Sequence, residues 1–420
     1  VPNKKAVQFA LLMGFATDCS IQEKTYFSRK NYFYADLPKG YQITQFVTPI
    51  CIDGLVNVKN KEGNNHPIRI EKIILEEDSG KSIHDLDPFN SLVDYNRAGV
   101  PLIEIVTKPD IREAEQAYNY VSEIRKLVRY LGICDGNMEE GSLRVDVNIS
   151  VKKRDTDKLG TRTEIKNLNS IRSVQRVIEY EAQRQVEVLK SGGEVQQETR
   201  GYDPAENVTF ELRIKEGADD YRYFPEPDLP PFDLDGVFIA EVQKLLPELP
   251  RERAEKYRTE FGLSDYDSEL LAEDRLFSEY FEELVSLYPK HKAMANWMNT
   301  QIRSYLNEYA IEIEKFPLKP EKIADIVKMI DENKISNSSA TQKLYPALIE
   351  EPNASVEQLA EQMNLIQVSD DSFILELIKE TLNENAEKVI EYKEGKKGLL
   401  GLFMGQVMKK SKGKADPKLT

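Results

Sequence analysis

The sequence predicts an α+β protein: a mixed, largely antiparallel sheet domain, then an all-helical domain, then a small helical tail domain. Three observations predict it. Leu143, Val145, Val147, Ile149 and Val151 alternate with Arg144, Asp146, Asn148 and Ser150, the period of two that marks a half-buried strand. β-rich runs at Pro67–Lys81 and Gly99–Thr107 add further strands. Beyond about residue 235 the apolar residues fall instead at helical spacing.

In chain order, Asn3 is placed to cap a helix with Val7, Ala10, Leu11 and Phe15 on one face. Asp110 is expected to cap a second, carrying Ala117, Val121, Ile124, Leu127 and Val128 and stopped by Gly132. A third runs from about Ser170 to Leu189 and ends at Gly192-Gly193. The stretch from Asp220 to Phe232 is dense in prolines and aromatics and cannot be helix interior. It reads as the border of a first domain over 1–235. Helices are then expected at Glu241–Leu246, Glu269–Leu287, Met294–Leu306 and Pro320–Glu332, forming a domain over 236–350. A polar break near Glu350–Ser355 opens the tail domain, 351–420, with Ser355 and Ser372 as helix caps.

The chain has 420 residues, 40% of them hydrophobic and 31% charged, ordinary values for a globular protein of two or three domains. No apolar run approaches the roughly 20 residues that span a bilayer, so no membrane association is expected. It opens on Val1-Pro2-Asn3 without an initiating Met, and a natural start further upstream is expected. Cys19, Cys51 and Cys134 are few and widely spaced, which suits reduced thiols in the cytoplasm and no cysteine-based zinc site. His66, His84 and His291 are too scattered for a histidine metal motif. The net charge of −15 argues against a general polyanion-binding surface.

The chemistry is concentrated in oddly placed carboxylates. Glu76-Glu77-Asp78 ends one apolar strand, Glu104 sits inside another, and Glu140 and Asp146 flank Arg144. Burying an unpaired carboxylate costs several kcal/mol, so these groups need water, a base or a cation. Magnesium prefers a few carboxylates plus water and substrate phosphates. Ion pairs with Arg144, Lys81 or Lys166 are the structural alternative. One concentrated basic region closes the chain, where Lys396, Lys397, Lys409, Lys410, Lys412 and Lys414 flank an apolar, glycine-dotted helix. Lysines so placed can track phosphates or simply complement a helix end.

Seven segments in order resemble the B subunit of the aspartyl/glutamyl-tRNA amidotransferases, the GatB family. They are Arg29–Gln42, Leu75–Lys81, Pro101–Val106, Met138–Ser150, Glu164–Ser170, Asp220–Leu229 and the lysine-glycine C-terminus. The family's Gly-Leu-Glu-Val-His opening strand, with a His expected at the metal site, does not occur here. The resemblance implies a cradle-shaped catalytic domain and a tRNA-binding tail. It also implies a reaction: Mg2+ and ATP phosphorylate the side-chain carboxyl of Glu-tRNA(Gln) or Asp-tRNA(Asn), and channelled ammonia then displaces phosphate. The partners so implied are an A subunit (the glutaminase), a C subunit and the misacylated tRNA. The sequence carries no amidase-type serine-lysine motif of its own.

Carried onto this chain, the resemblance assigns Glu77 and Glu104, with Glu76, as metal ligands. Arg144 offers donors to phosphate or to the substrate carboxylate, and Asp146 and Glu140 either orient it or bind a second cation. Lys30, Tyr32 and Lys39 lie near the phosphate site or channel mouth. Lys81, Lys166, Asn167 and Asn148 are expected at the nucleotide, with Glu164, Lys166 and Asn167 along the ammonia path. Lys396, Lys397, Lys409, Lys410 and Lys412 are expected at tRNA. A hydrolase built on paired carboxylates and a non-enzymatic RNA-binding scaffold are the competing classes. The first predicts no ATP requirement, the second no turnover that depends on the acidic strands.

Overall fold

The computed structural model describes residues 2–60, 62–83, 86–87, 89–214, 221–367 and 371–411. Two compact units divide the chain, Val1–Leu249 and Pro250–Thr420. The first mixes helices with mainly antiparallel strands and the second is helical, as the sequence predicts.

The first unit opens with α1 (Lys4–Ala16), whose first amides donate to the Asn3 side chain at 2.9 and 3.3 Å. Strands β1 (Ser20–Ile21), β2 (Lys24–Thr25), β3 (Ser28–Asn31), β4 (Tyr41–Thr44) and β5 (Cys51–Lys59) follow. Next come β6 (Asn65–Glu77), β7 (Lys81–Ile83), β8 (Leu92–Asp94) and β9 (Pro101–Thr107). The long β6 is the spine of a seven-stranded sheet ordered β1-β5-β6-β4-β3 and closed by a late strand at Phe224–Pro225, with β9 also paired to β6. Its Ile68, Ile70, Ile73 and Leu75 are buried in a core with Val7 and Leu11 of α1 and Val121, Ile124 and Val128 of α2 (Ala114–Tyr130). The register with β9 shifts between Ile70 and Lys72, so the core-facing residues change from Ile68 and Ile70 to Ile73 and Leu75, and Lys72, Ile74 and Glu76 turn to the opposite face.

Asp110 does not cap α2. It accepts both Arg69 Nε and Nη2, at 2.9 and 2.6 Å, and Glu113 caps the helix through a capping box with Gln116. The same carboxylate also accepts the Arg69 amide at 2.9 Å, so Asp110 is committed to β6 rather than to the helix.

The second sheet runs β10 (Val145–Ile149), β11 (Thr163–Leu168), β12 (Glu198–Asp203) and β13 (Val208–Ile214). The alternating stretch 143–151 is thus a strand only over its middle, with Val147 buried and Asp146 and Asn148 exposed. β11 and β12 are parallel and joined through α3 (Ile171–Lys190), capped by the Ser170 side chain, because parallel neighbours need a crossover. Inside this layer Glu181 is fully buried; it accepts from Arg184 at 2.6 and 2.9 Å and from the Thr209 hydroxyl at 2.9 Å.

The proline-aromatic stretch is laced into this unit. β14 (Phe224–Pro225) pairs with β3, and β15 (Phe232–Asp233) pairs with β2. Glu226, its side chain 1% exposed, holds Arg29 in a two-pronged pair at 2.8 Å. α4 (Gly236–Gln243), placed by the sequence beyond a border at 235, packs its Val242 into the same core.

The second unit contains α5 (Pro250–Thr259), α6 (Asp265–Leu271), α7 (Arg275–Leu287), α8 (His291–Trp297), α9 (Arg303–Tyr309) and α10 (Pro320–Asp331). The helix expected over 269–287 is broken in two because Asp274 caps a new start, accepting from the Phe277 amide. α11 (Asn337–Ser339), α12 (Tyr345–Glu350) and α13 (Val356–Gln362) complete one core, in which Val356, Ala360 and Leu365 join Phe281, Met298 and Leu344. The polar break at 350–355 therefore connects two segments of one core. The chain continues with α14 (Asp371–Glu384), α15 (Ala386–Lys393) and α16 (Leu399–Lys410), and a smaller cluster centres on Val407 and Met408 of α16 with Leu377 and Ile378 of α14. Ser372 lies inside α14 rather than capping it. Among the described residues no helix is long and apolar enough to cross a membrane.

Candidate active site

The sheet face turned away from α1 and α2 collects the unusual carboxylates. Glu104 on β9 stands opposite Ile74 of β6, two residues from Glu76, so Glu76 and Glu104 are diagonal neighbours on one face. Across β6 on the other side, Thr44 pairs with Glu76 and Gln42 pairs with Lys30. That register brings Lys30 toward the same carboxylates. Burial and the adjacent Glu104 push the Glu76 carboxyl up to about 7, against the opposing pull of Lys30, Thr44 and Gln42. A half-buried acid beside a second acid is an unmet demand for positive charge.

Aromatic rings wall this face. Lys30 Nζ lies 5.0 Å from the Tyr221 ring centroid and 5.6 Å from that of Tyr32. The Tyr32 hydroxyl donates to Gln42 Oε1 at 3.2 Å. Tyr223 stacks on Phe46 with centroids 4.6 Å apart and planes 7° from parallel. Lys72 Nζ sits 4.3 Å from the Phe46 centroid. Burial, then Tyr221, Glu76 and Glu104, push the Tyr223 phenol up to about 12, which keeps it protonated as a donor. Sequence reasoning missed Tyr221 and Tyr223 because residues 220–232 read as a border, the Tyr-Arg-Tyr-Phe run being the available signal, and it missed Phe46, which no motif marked.

Glu77 does not share a site with Glu104. Adjacent strand residues face opposite ways, and Glu77 Oε1 accepts from Lys39 Nζ at 2.5 Å and from the Ile43 amide at 2.9 Å. Lys39 lies 4.7 Å from the Tyr41 ring, which also stacks under Arg29 at 4.1 Å. Of the three acids singled out, the structure thus brings Glu104 together with Glu76 instead of Glu77.

Arg144 is held by neither Asp146 nor Glu140. Its Nη2 donates to Asp78 at 2.7 Å. Asp146 instead accepts from Lys166 at 3.0 Å on the exposed side of the second sheet, where Asn148 stands opposite Glu164. Glu140 is exposed in a turn whose amides donate to the Asn137 side chain. Lys81 lies exposed on the β7–β8 hairpin opposite Asp94. The Asn167 side chain and all of Lys412 fall outside the described residues. Lys396 pairs with Glu391 at 3.0 Å, and Lys410 with Glu384 and Glu380 at 2.7 and 3.2 Å, while Lys397 and Lys409 are exposed.

Among the described residues no three or more His, Cys, Asp and Glu side chains gather as a metal centre. Glu76 and Glu104 are the adjacent pair of carboxylates on this face. That donor set fits magnesium, which takes one or two protein carboxylates and completes its shell with water and substrate phosphates.

A family model described as the GatB/GatE catalytic domain matches residues 1–240, and one described as the GatB domain matches residues 279–420. A protein of Caldicellulosiruptor saccharolyticus, named as the B subunit of aspartyl/glutamyl-tRNA(Asn/Gln) amidotransferase, is 45% identical over 422 residues, spanning 100% of this chain and 87% of that protein. Relatives of the same name from Thermotoga maritima, 44% identical, and Synechococcus sp., 46% identical, cover 87% and 86% of their own lengths and all of this chain. The carboxylate-bearing sheet thus lies within the segment matched as catalytic, and the chain belongs to the GatB family, the B subunits of aspartyl/glutamyl-tRNA amidotransferases.

Proposed function

We propose that this chain is the kinase and transamidase subunit of a glutamine-dependent tRNA amidotransferase. It would act on Glu-tRNA(Gln), Asp-tRNA(Asn) or both, in a heterotrimer with an A subunit that releases ammonia and a C subunit, in the cytoplasm. The observation that carries this reading is the Glu76–Glu104 pair on one sheet face, with Lys30 beside it and aromatic rings around it.

A carboxylate resists amidation because oxide is a hopeless leaving group. Transfer of the γ-phosphoryl group of ATP to a carboxylate oxygen releases ADP and creates an acyl phosphate. Ammonia then adds to the acyl carbon and phosphate departs. Such transfer needs positioning and charge neutralisation more than covalent help from the protein. Glu76 and Glu104 would hold Mg2+, which supplies compensation for the charge on the phosphates. Lys30 would face the transferring group and Tyr223 would donate a hydrogen bond to it. Arg144 would take an oxyanion of the nucleotide or the substrate carboxylate. Tyr32 would shape the mouth through which ammonia arrives, and Glu164 and Lys166 would line its path. The basic helix α16 and its flanks, Lys396 to Lys412, would meet tRNA phosphates.

The test is ATP cleavage by the assembled complex, with and without misacylated tRNA and Mg2+. Stimulation by both supports the reading. Turnover that ignores Mg2+ and survives alanine at Glu76 and Glu104 together would refute it.

A further inference from the structure

The end of β6 carries a second charged cluster beside the carboxylate pair. Asp78 prolongs the strand ladder: its amide donates to the Val100 carbonyl at 2.8 Å and its carbonyl accepts from the Gly99 amide at 2.9 Å. Continuing the pleat puts its side chain on the Glu76 face, roughly 6.5 Å further along. This carboxylate, 9% exposed, is shared by two guanidiniums. Arg144 Nη2 lies 2.7 Å from Oδ2, and Arg97 Nε lies 3.3 Å from the same oxygen.

The cluster is not neutral. One carboxylate faces two permanent cations, leaving a net positive charge on partly exposed groups, Arg97 at 34% and Arg144 at 40%. Arg97 is locked by two carbonyls, Ser79 to Nε at 3.1 Å and Gly80 to Nη2 at 2.8 Å. Its Nη1, and Nε and Nη1 of Arg144, have no acceptor among the described residues. On these partly exposed side chains the remaining donors are open to solvent or to a ligand. The turn that approaches them places Gly141 there, at φ +81°, and a Cβ at that position would stand 3.6 Å from Arg97 Nη1. That is an ordinary contact distance, and the positive φ is what calls for glycine here.

We propose that Arg97 and Arg144 form a two-guanidinium clamp for a phosphate oxyanion, with Asp78 as the buried post that aims both. The inference rests on the phosphoryl-transfer reading above and adds Arg97 and Asp78 to it. Guanidinium forks match phosphate oxygens in pairs, a geometry lysine cannot supply. Nucleotide phosphates and the tRNA backbone share this chemistry, and binding measurements separate them.

Equilibrium binding of Mg-ATP and of tRNA to the assembled complex tests the clamp without requiring turnover. R97A and R144Q are each expected to weaken one of the two ligands roughly tenfold, with R97K recovering only some of the loss. Weaker ATP binding assigns the clamp to the nucleotide. Weaker tRNA binding with a flatter salt dependence assigns it to the tRNA backbone. Wild-type affinity for both ligands in R97A, in R144Q and in the double variant, with unchanged melting temperatures, overturns the clamp. A wild-type complex that binds ATP but never cleaves it in response to misacylated tRNA would overturn the phosphoryl-transfer reading instead.

Discussion

Glu76 and Glu77 are neighbours in the chain and serve opposite faces of one sheet: Glu77 is tied to Lys39 at 2.5 Å, whereas Glu76 sits diagonal to Glu104. This division makes the acidic pair separable by mutation. E76Q and E104Q are each expected to lower tRNA-dependent ATP cleavage by roughly 10²–10³, the usual loss when one preorganised electrostatic contact is removed. E77Q should cost far less, since Lys39 is 40% exposed and such pairs contribute about 1 kcal/mol or less. Equal losses in all three variants would undo the assignment.

Tyr223 offers a cleaner probe, because stacking and hydroxyl can be dissociated. The ring lies on Phe46 at 4.6 Å, and the hydroxyl has no hydrogen-bond partner among the described residues. Y223F keeps the stack and loses the donor, so kcat for ATP cleavage should fall about tenfold with KM for ATP steady. Steady kcat in Y223F would reduce Tyr223 to a packing residue.

Glu181 should control the stability of the second sheet. Burial raises its carboxyl, but hydrogen bonds from Arg184, Gln185 and Thr209 outweigh that and hold it below the ordinary range. A depressed folded-state pKa stabilises above the unfolded value and is lost as pH falls through the folded one. Urea denaturation should therefore show this contribution at pH 7 and its loss in acid, below the usual carboxylate range. E181A should destabilise by about 3 kcal/mol, as expected when one partner of a buried ion pair is removed, and its stability should vary less with pH across that acid range.

Two truncations should behave differently in the second unit. Ending the chain at Glu350 strips Val356, Ala360 and Leu365 from the helical core, where each large buried side chain is worth about 1.5–3 kcal/mol. Ending it at Gln367 leaves that core whole and removes α14 to α16. The longer form should melt as cooperatively as the full chain yet bind tRNA more weakly. Unaltered tRNA affinity would count against the basic tail as a contact.

Local signals carried much of this architecture. Alternation at Val145, Val147 and Ile149 and the side-chain caps at Asn3 and Ser355 each rest on residues within a few positions of one another. Pattern and capping are short-range physics, so they can be read along the chain. The carboxylates of Glu76 and Glu104 could be recognised in the same way, since an acid inside an apolar strand is costly wherever it ends up.

Pairing across long separations was beyond that reach. Which acid faced Glu104 depended on the β6–β9 register, and Arg144 chose Asp78 over its near neighbour Asp146. Asp110 was diverted from its helix by Arg69, and the stretch expected to separate the first domain from the next became β14 and β15, bonded to β3 and β2. A period of two says that adjacent side chains face apart; only the neighbouring strands decide which face is buried and which is left for chemistry.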